Sequence, residues 1–434
     1  MNIFCHATYV GDTGYNSHCK NFFRSFSKYQ NIKIRNFSIG KDWKGLHNSF
    51  FHCHGKDVTE LDKKLIGLQT LWNGAANELQ DFELYGFKKD SFQYGLNIIL
   101  AEANHYYFYH NYTGPKIAYT VWESTEYYKP FFEKLKEYDQ VWVPSQWQAQ
   151  VTIKQGIPAN KVKVVPEGVD GSVFYPENYK IAGNKFRFLI FGRWDNRKST
   201  KEMIRAFKNL FGDNNKFELV ISVEDYFNTD GLNGTRNRLK EYDLECNNIR
   251  ILNFPDKKDY AKFLKAGNVF LSCSRSEGWN LPLIEAMACG TPSIYSDCSG
   301  QLEFAKGKGI PVKIKNEIPA SLFYPPNNSV TGNWYEPDFK DLEDKMLEVY
   351  NNYDYYKKKA LQDSVEIRNK FTWENAAKIA SDIIEKSYGS QIEKIKNLNI
   401  ESFDRIFNKS IYESFTAIKD NDVVLDLGCS QGFL

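Results

Sequence analysis

Short apolar runs separated by helical or turn-rich stretches recur along the chain, and this alternation restricts its fold more than any other feature. Residues 2–7 read as a buried strand, Gly11-Asp12-Thr13-Gly14 as a tight turn and residues 15–29 as a helix. Residues 97–100, 116–121, 140–143 and 162–165 continue the series as strands. A second series starts at residues 186–192 and runs through 217–222, 249–253, 269–272 and 291–295. Parallel strands need a crossover connection, usually a helix, so this alternation predicts parallel α/β sheets. At 434 residues the chain is too long for one hydrophobic core. Pro166-Glu167-Gly168-Val169-Asp170 breaks the pattern between the two series and suits a hinge. The expected organisation is an N-terminal α/β domain over residues 1–168, a second over 169–371, and a closing helix over 372–388. Thr372 caps that helix and Tyr388-Gly389-Ser390 is its expected stop, leaving residues 389–434 as a linker and an incomplete further segment.

Charge and cysteine usage exclude several classes of function. The excess of Lys and Arg over Asp and Glu is only +2, so no broad field attracts nucleic acid or an anionic membrane. No run approaches the roughly 20 apolar residues that span a bilayer, which leaves only peripheral membrane contact. The eight cysteines are scattered without a C-x-x-C pair, and the first residues lack the basic and apolar regions of a secretory leader. Reduced thiols and a cytoplasmic location are therefore expected. His52-Cys53-His54 places alternate residues on one strand face, but no further spaced ligand accompanies it and no metal site is expected.

The chemistry concentrates in Ser274-Arg275-Ser276-Glu277-Gly278-Trp279-Asn280-Leu281-Pro282-Leu283-Ile284-Glu285 and the residues up to Pro292. Pro282 suits the first turn of a helix and Gly290 its stop, so residues 277–281 form a loop at the positive helix end, where amides can hold a diphosphate or sugar hydroxyls. Glu285 falls one turn into the helix, where a carboxylate can accept hydrogen bonds from two ribose hydroxyls. Taken alone, Glu277 is equally well read as a solvated loop residue and Glu285 as a complement to the helix dipole. The whole string, however, resembles the E-x7-E donor motif of the GT4 family of retaining glycosyltransferases, with Glu277 and Glu285 as its acids. That resemblance implies that Glu277 contacts the transferred sugar, that Glu285 contacts the ribose, and that the amides of Trp279, Asn280 and Leu281 approach the donor. Asn280 stands where the family more usually has glycine.

Arg193 and Lys198 lie between a predicted strand and a predicted helix, at a strand's carboxyl edge. A departing nucleoside diphosphate gains negative charge, and two fixed cations can stabilise it in place of a divalent metal. By itself such a pair is an ordinary solvated basic turn; before the acidic motif it is similar to the family's Arg/Lys pair. Gly11 and Gly14 resemble the family's glycine-rich first loop, where small residues let the backbone approach the donor phosphates. That loop departs from G-x-G-x-x-G, so no nicotinamide or flavin is expected. Glu123, in Tyr119-Thr120-Val121-Trp122-Glu123-Ser124, follows a strand at the expected cleft and is read as orienting the acceptor, as a general base, or as a carboxylate at a helix start.

The resemblance spans residues 1–388 and implies the GT-B architecture, two Rossmann-like domains facing a cleft. It implies a retaining glycosyltransferase that uses a nucleotide diphosphate sugar as substrate, with no cofactor and no metal. The acceptor is expected to be a glycan or lipid-linked hydroxyl, in surface polysaccharide or glycan synthesis. The alternatives are a noncatalytic sugar-nucleotide-binding module and a sugar-nucleotide epimerase of the same fold. Val424-Leu425-Asp426-Leu427-Gly428-Cys429-Ser430-Gln431-Gly432-Phe433 resembles motif I of S-adenosylmethionine-dependent methyltransferases. The later strands of such a domain do not follow before Leu434, so S-adenosylmethionine is expected to bind only in a longer parent chain.

Overall fold

The computed structural model describes residues 3–10, 13–38, 59–73, 78–84, 95–101, 114–179, 181, 183–224, 231–254, 256–321 and 330–397. Gly11, His52-Cys53-His54 and the motif at 424–433 lie outside the described residues. In the N-terminal half, β1 (Ile3–Ala7), β2 (Ile32–Ser38), β3 (Ile66–Asn73), β4 (Glu78–Glu83), β5 (Leu96–Leu100), β6 (Lys116–Tyr119), β7 (Gln140–Val143) and β8 (Val162–Val164) form one sheet. Its order is β4-β3-β2-β1-β5-β6-β7-β8, parallel throughout except between β3 and β4. In the C-terminal half, β9 (Phe186–Arg193), β10 (Phe217–Glu224), β11 (Ile249–Ile251), β12 (Val269–Ser272), β13 (Ser293–Ser296) and β14 (Ile310–Val312) form a second, all-parallel sheet. Its order is β11-β10-β9-β12-β13-β14. The expectation of two parallel α/β sheets is thus met.

Parallel strands covered by helices on both faces read as nearly continuous apolar runs, and every residue of β1, β5, β7 and β12 is buried. Ile3, Cys5 and Ala7 meet Phe22, Phe23 and Phe26 of the helix Gly14–Phe26. On the opposite side Ile99, Ala118 and Val141 meet Phe132 and Leu135. In each sheet the connection reverses direction beside the first strand: β1 lies between β2 and β5, and β9 lies between β10 and β12. Crevices at such reversals, outside the carboxyl ends of the strands, are where open α/β sheets bind ligands.

Two features depart from expectation. The closing helix runs from Trp373 to Asn397, straight through Tyr388-Gly389-Ser390. It packs against Gly14–Phe26 in the N-terminal core through Trp373, Ala376, Ala377, Ala380, Ile384 and Tyr388. That burial outweighs the local cost of one helical glycine, about 1 kcal/mol. The two chain crossings lie side by side, with Val169 N donating to Phe371 O (2.8 Å) and Gly168 pressed against Trp373. The second departure is a hairpin of β15 (Ile314–Ser321) and β16 (Val330–Pro337), antiparallel and attached beside β14. It reaches the N-terminal half: Thr125 N donates to Asn333 O (3.1 Å), Asn333 N to Thr125 Oγ1 (2.7 Å), and Trp334 Nε1 to Glu123 O (2.9 Å).

Candidate active site

The segment after β9 and the segment after β12 emerge from adjacent strands at the reversal of the second sheet, so their charged residues converge. After β9, Asp195 organises the turn: its carboxylate pairs with Arg193 and accepts from Lys198 N (2.7 Å). Burial pushes the Asp195 carboxyl up, but Arg197 and Arg193 outweigh burial and hold it below its ordinary value. Ser199 adopts φ 51° before the helix Thr200–Phe211, which turns the chain sharply enough to set Arg197 and Lys198 facing the neighbouring segment.

That neighbouring segment is tied to the first through main chain. Arg275 N donates to Arg197 O (2.7 Å), and Arg197 Nη1 donates to Ser276 O (2.7 Å). Glu277 follows, 2% exposed. Its two carboxylate oxygens are held separately, Oε1 by Lys198 Nζ at 2.5 Å and Oε2 by Arg197 Nη1 at 3.0 Å. Burial favours the neutral acid, yet Arg197 and Lys198 outweigh it and hold Glu277 down to about 2, so the acid is ionised across the working pH range. Behind it, Ser299 Oγ accepts from Glu277 N (2.9 Å) and Gly300 N donates to Glu277 O (2.8 Å). Gly300 is required there, because a Cβ would lie 2.0 Å from Gly278 O.

The loop then enters the helix Leu281–Ala288, with Pro282 in its first turn as expected. Asn280 caps it at φ 93°, a left-handed conformation that Asn tolerates better than most residues. This explains how Asn can stand where glycine is usual. Its side chain is fully engaged, Nδ2 donating to Ser272 Oγ (2.9 Å) and Gln301 Oε1 (2.7 Å), and Oδ1 accepting from Leu283 N (3.4 Å). The Trp279 side chain is buried against Phe304 and Phe371. The side chains of Trp279 and Asn280 are therefore both taken up inside the protein. Glu285 lies one turn into the helix, buried, with Lys257 Nζ 3.3 Å from Oε1.

The N-terminal half contributes Glu123, which follows β6 and faces the same cluster. Arg197 Nη2 lies 3.0 Å from Glu123 Oε1, so a single guanidinium joins acids from both halves. Desolvation in the cleft raises the Glu123 carboxyl, with Arg197 opposing and Glu277 adding to the rise. Gly14 opens the helix after β1, capped by Thr13 and Asn16, and the space where its Cβ would project is open. Tyr15 Oη donates to Val121 O (3.1 Å), which ties this turn to the strand end that leads to Glu123.

Arg197 and Glu167 are the residues that motif reading passed over. Glu167, at the hinge, is buried 3.5 Å from His18 Nδ1; burial raises its carboxyl well above the ordinary range, and Glu277, Glu123 and Glu285 add to the rise. Among the described residues no cluster of His, Cys, Asp and Glu is arranged to hold a metal ion, and no helix is long and apolar enough to cross a membrane.

Residues 174–318, which carry Arg193, Lys198, Glu277 and Glu285, match the family model for glycosyl transferases group 1. The C-terminal half contains a group 1 glycosyltransferase domain. A probable sucrose-phosphate synthase of Thermosipho melanesiensis is 25% identical over 238 residues, 52% of this chain and 48% of the relative. The GDP-mannose:cellobiosyl-diphosphopolyprenol alpha-mannosyltransferase of Xanthomonas campestris is 22% identical over 153 residues, 35% of this chain and 39% of the relative. The matched region thus spans about half the length of these curated relatives or less. Among solved structures, HepE of Anabaena in complex with UDP-glucose superposes with a TM-score of 0.63 at 14% identity, covering 88% of this chain and 99% of that one. The sucrose-phosphate synthase of Thermosynechococcus elongatus does so with a TM-score of 0.60 at 15% identity, covering 90% and 99%. The architecture is GT-B.

Proposed function

We propose that this domain pair is a retaining, metal-independent glycosyltransferase that moves a sugar from a nucleotide diphosphate donor to a hydroxyl of a glycan or lipid-linked acceptor. The observation that carries the reading is Glu277: a buried, ionised acid between Lys198 and Arg197 at the reversal of the donor sheet. A nucleotide sugar in this crevice brings hydroxyls to Glu277 and Glu285 and its diphosphate to Arg193 and Lys198. As the bond from the anomeric carbon to the β-phosphate oxygen breaks, those two cations stabilise the charge that develops on the leaving group. The acceptor oxygen attacks the same face, its proton passes to the departing phosphate oxygen, and the products are the glycoside and the nucleoside diphosphate. Glu123 orients the acceptor from the opposite wall.

The test is turnover with UDP-, GDP- and dTDP-sugars against an array of glycan acceptors, with and without EDTA, for wild type, Glu277→Ala and Arg193→Ala. Transfer from one donor that persists in EDTA and falls at least ~100-fold in both variants is expected, matching the usual loss when a charge-stabilising group is removed. Abolition by EDTA overturns the metal-free mechanism. Donor binding with no product on any acceptor overturns the assignment of an enzyme.

A further inference from the structure

We propose that Arg197 is a positioning residue that brings the donor-facing acid of one half and the acceptor-facing acid of the other under a single cation. The inference rests on the reading of Glu277 as the donor-facing acid. The Arg197 side chain is 6% exposed, and its planar fork spans the cleft, Nη1 to Glu277 Oε2 and Nη2 to Glu123 Oε1, both at 3.0 Å. A lysine ammonium is a point charge and does not reproduce a fork that holds two carboxylates at fixed angles.

Other charged groups face this pair. Lys198, Arg193 and Asp195 come from the segment after β9, Glu167 from the hinge and Glu285 from the helix Leu281–Ala288. Lys198 and Arg193 are 18% and 29% exposed and can turn toward an incoming diphosphate. Arg197 is held by main chain on both sides, through Arg275 N and Ser276 O, and stays in place. When Lys198 engages the donor, Arg197 is the cation that remains on Glu277.

Two enclosed carboxylates without a cation between them raise each other's pKa. The pH dependence of sugar transfer therefore reads the bridge directly, each profile being scaled to its own maximum. In Arg197→Met the acidic limb moves up by about 1–3 pH units. Adding Glu123→Gln removes one of the two charges and moves the limb back down, a reversal that loss of packing alone does not produce. If Arg197→Met fails to fold, Arg197→Lys is measured and shows a smaller upward displacement that Glu123→Gln again reverses. A wild-type protein that transfers sugar, with an unmoved limb in the Arg197 variant or no reversal by Glu123→Gln, overturns this proposal alone. A wild-type protein that transfers no sugar from any donor overturns the reading of Glu277 instead.

Discussion

A methyl group placed on Gly278 is expected to hold the two halves apart at the point where they touch beside the loop 277–281. Its Cβ would lie 2.3 Å from Val121 Cγ1, 3.0 Å from Trp122 O and 3.1 Å from Gln148 Oε1, all in the N-terminal half. Gln148 cannot turn aside, because Oε1 accepts from Trp122 N while Nε2 donates to Thr120 O and Tyr127 Oη. Carbon atoms rest at about 3.5–4.0 Å, so the loop and its neighbour must separate by roughly 1–2 Å. A misplacement of about 1 Å in a reacting complex costs on the order of 100-fold in rate, about 2.7 kcal/mol of barrier. Gly278→Ala should therefore lower kcat/KM for transfer about 100-fold while the protein stays folded. Gly171→Ala, whose Cβ meets nothing within 4 Å, is the control and should be unchanged. Small-angle scattering should show Gly278→Ala more open than wild type with nucleotide bound. A Gly278→Ala enzyme with the wild-type rate and the wild-type scattering profile would refute the argument.

Two further predictions concern stability. Burial lowers His18 from its ordinary value of 6.5 to about 3, so its contribution is present above pH 6.5 and is lost as pH falls toward 3. Between pH 7 and pH 5 that amounts to about 2 kcal/mol, and His18→Leu should flatten this part of the pH dependence of the denaturant midpoint; an unchanged slope contradicts the assignment. Asn280→Ala keeps a β-carbon in the left-handed region without the polar side chain that makes it tolerable there and removes the cap of Leu281–Ala288, an expected loss of about 2 kcal/mol by chemical denaturation. Asn280→Gly keeps the backbone angle and should lose less; the reverse order contradicts the reading of φ as the constraint.

The parts of the fold legible in sequence are those where burial and local pattern agree. β1, β5, β7 and β12 are buried along their whole length and stand out as apolar runs. β2 does not, because Lys33, Arg35 and Asn36 interrupt it, although Arg35 and Asn36 are buried and Asn36 Oδ1 accepts from Tyr9 N and Val10 N. β15 is mostly exposed and contains Pro319, so it carries neither an apolar run nor a clean alternation. Within the site, Glu277, Glu285, Arg193 and Lys198 were visible because each belongs to a local string. Arg197 looks in sequence like one more charge in a basic turn. Its burial comes from Glu123, Ser276 and Glu277, which lie far along the chain, and local spacing carries no trace of them.

On the proposed function, the charge arrangement also decides which groups move when a donor arrives. Lys198 pairs with Glu277 and Lys257 with Glu285, while Arg193 pairs with Asp195. A nucleoside diphosphate brings negative charge to a crevice whose acids face it at both ends, so binding must exchange partners rather than fill an idle cationic site. Hydroxyls of sugar and ribose can replace the ammonium groups on Glu277 and Glu285, which frees Lys198 for phosphate. Lys257 is 54% exposed and returns to water when it leaves, while the ribose hydroxyls take its place on the buried Glu285 carboxylate. Withdrawing a buried partner such as Arg197 would instead leave an uncompensated charge, at about 3–5 kcal/mol. The exchange therefore runs through the more exposed lysines, and the buried arginine remains on Glu277 while the rest of the site turns over to the donor.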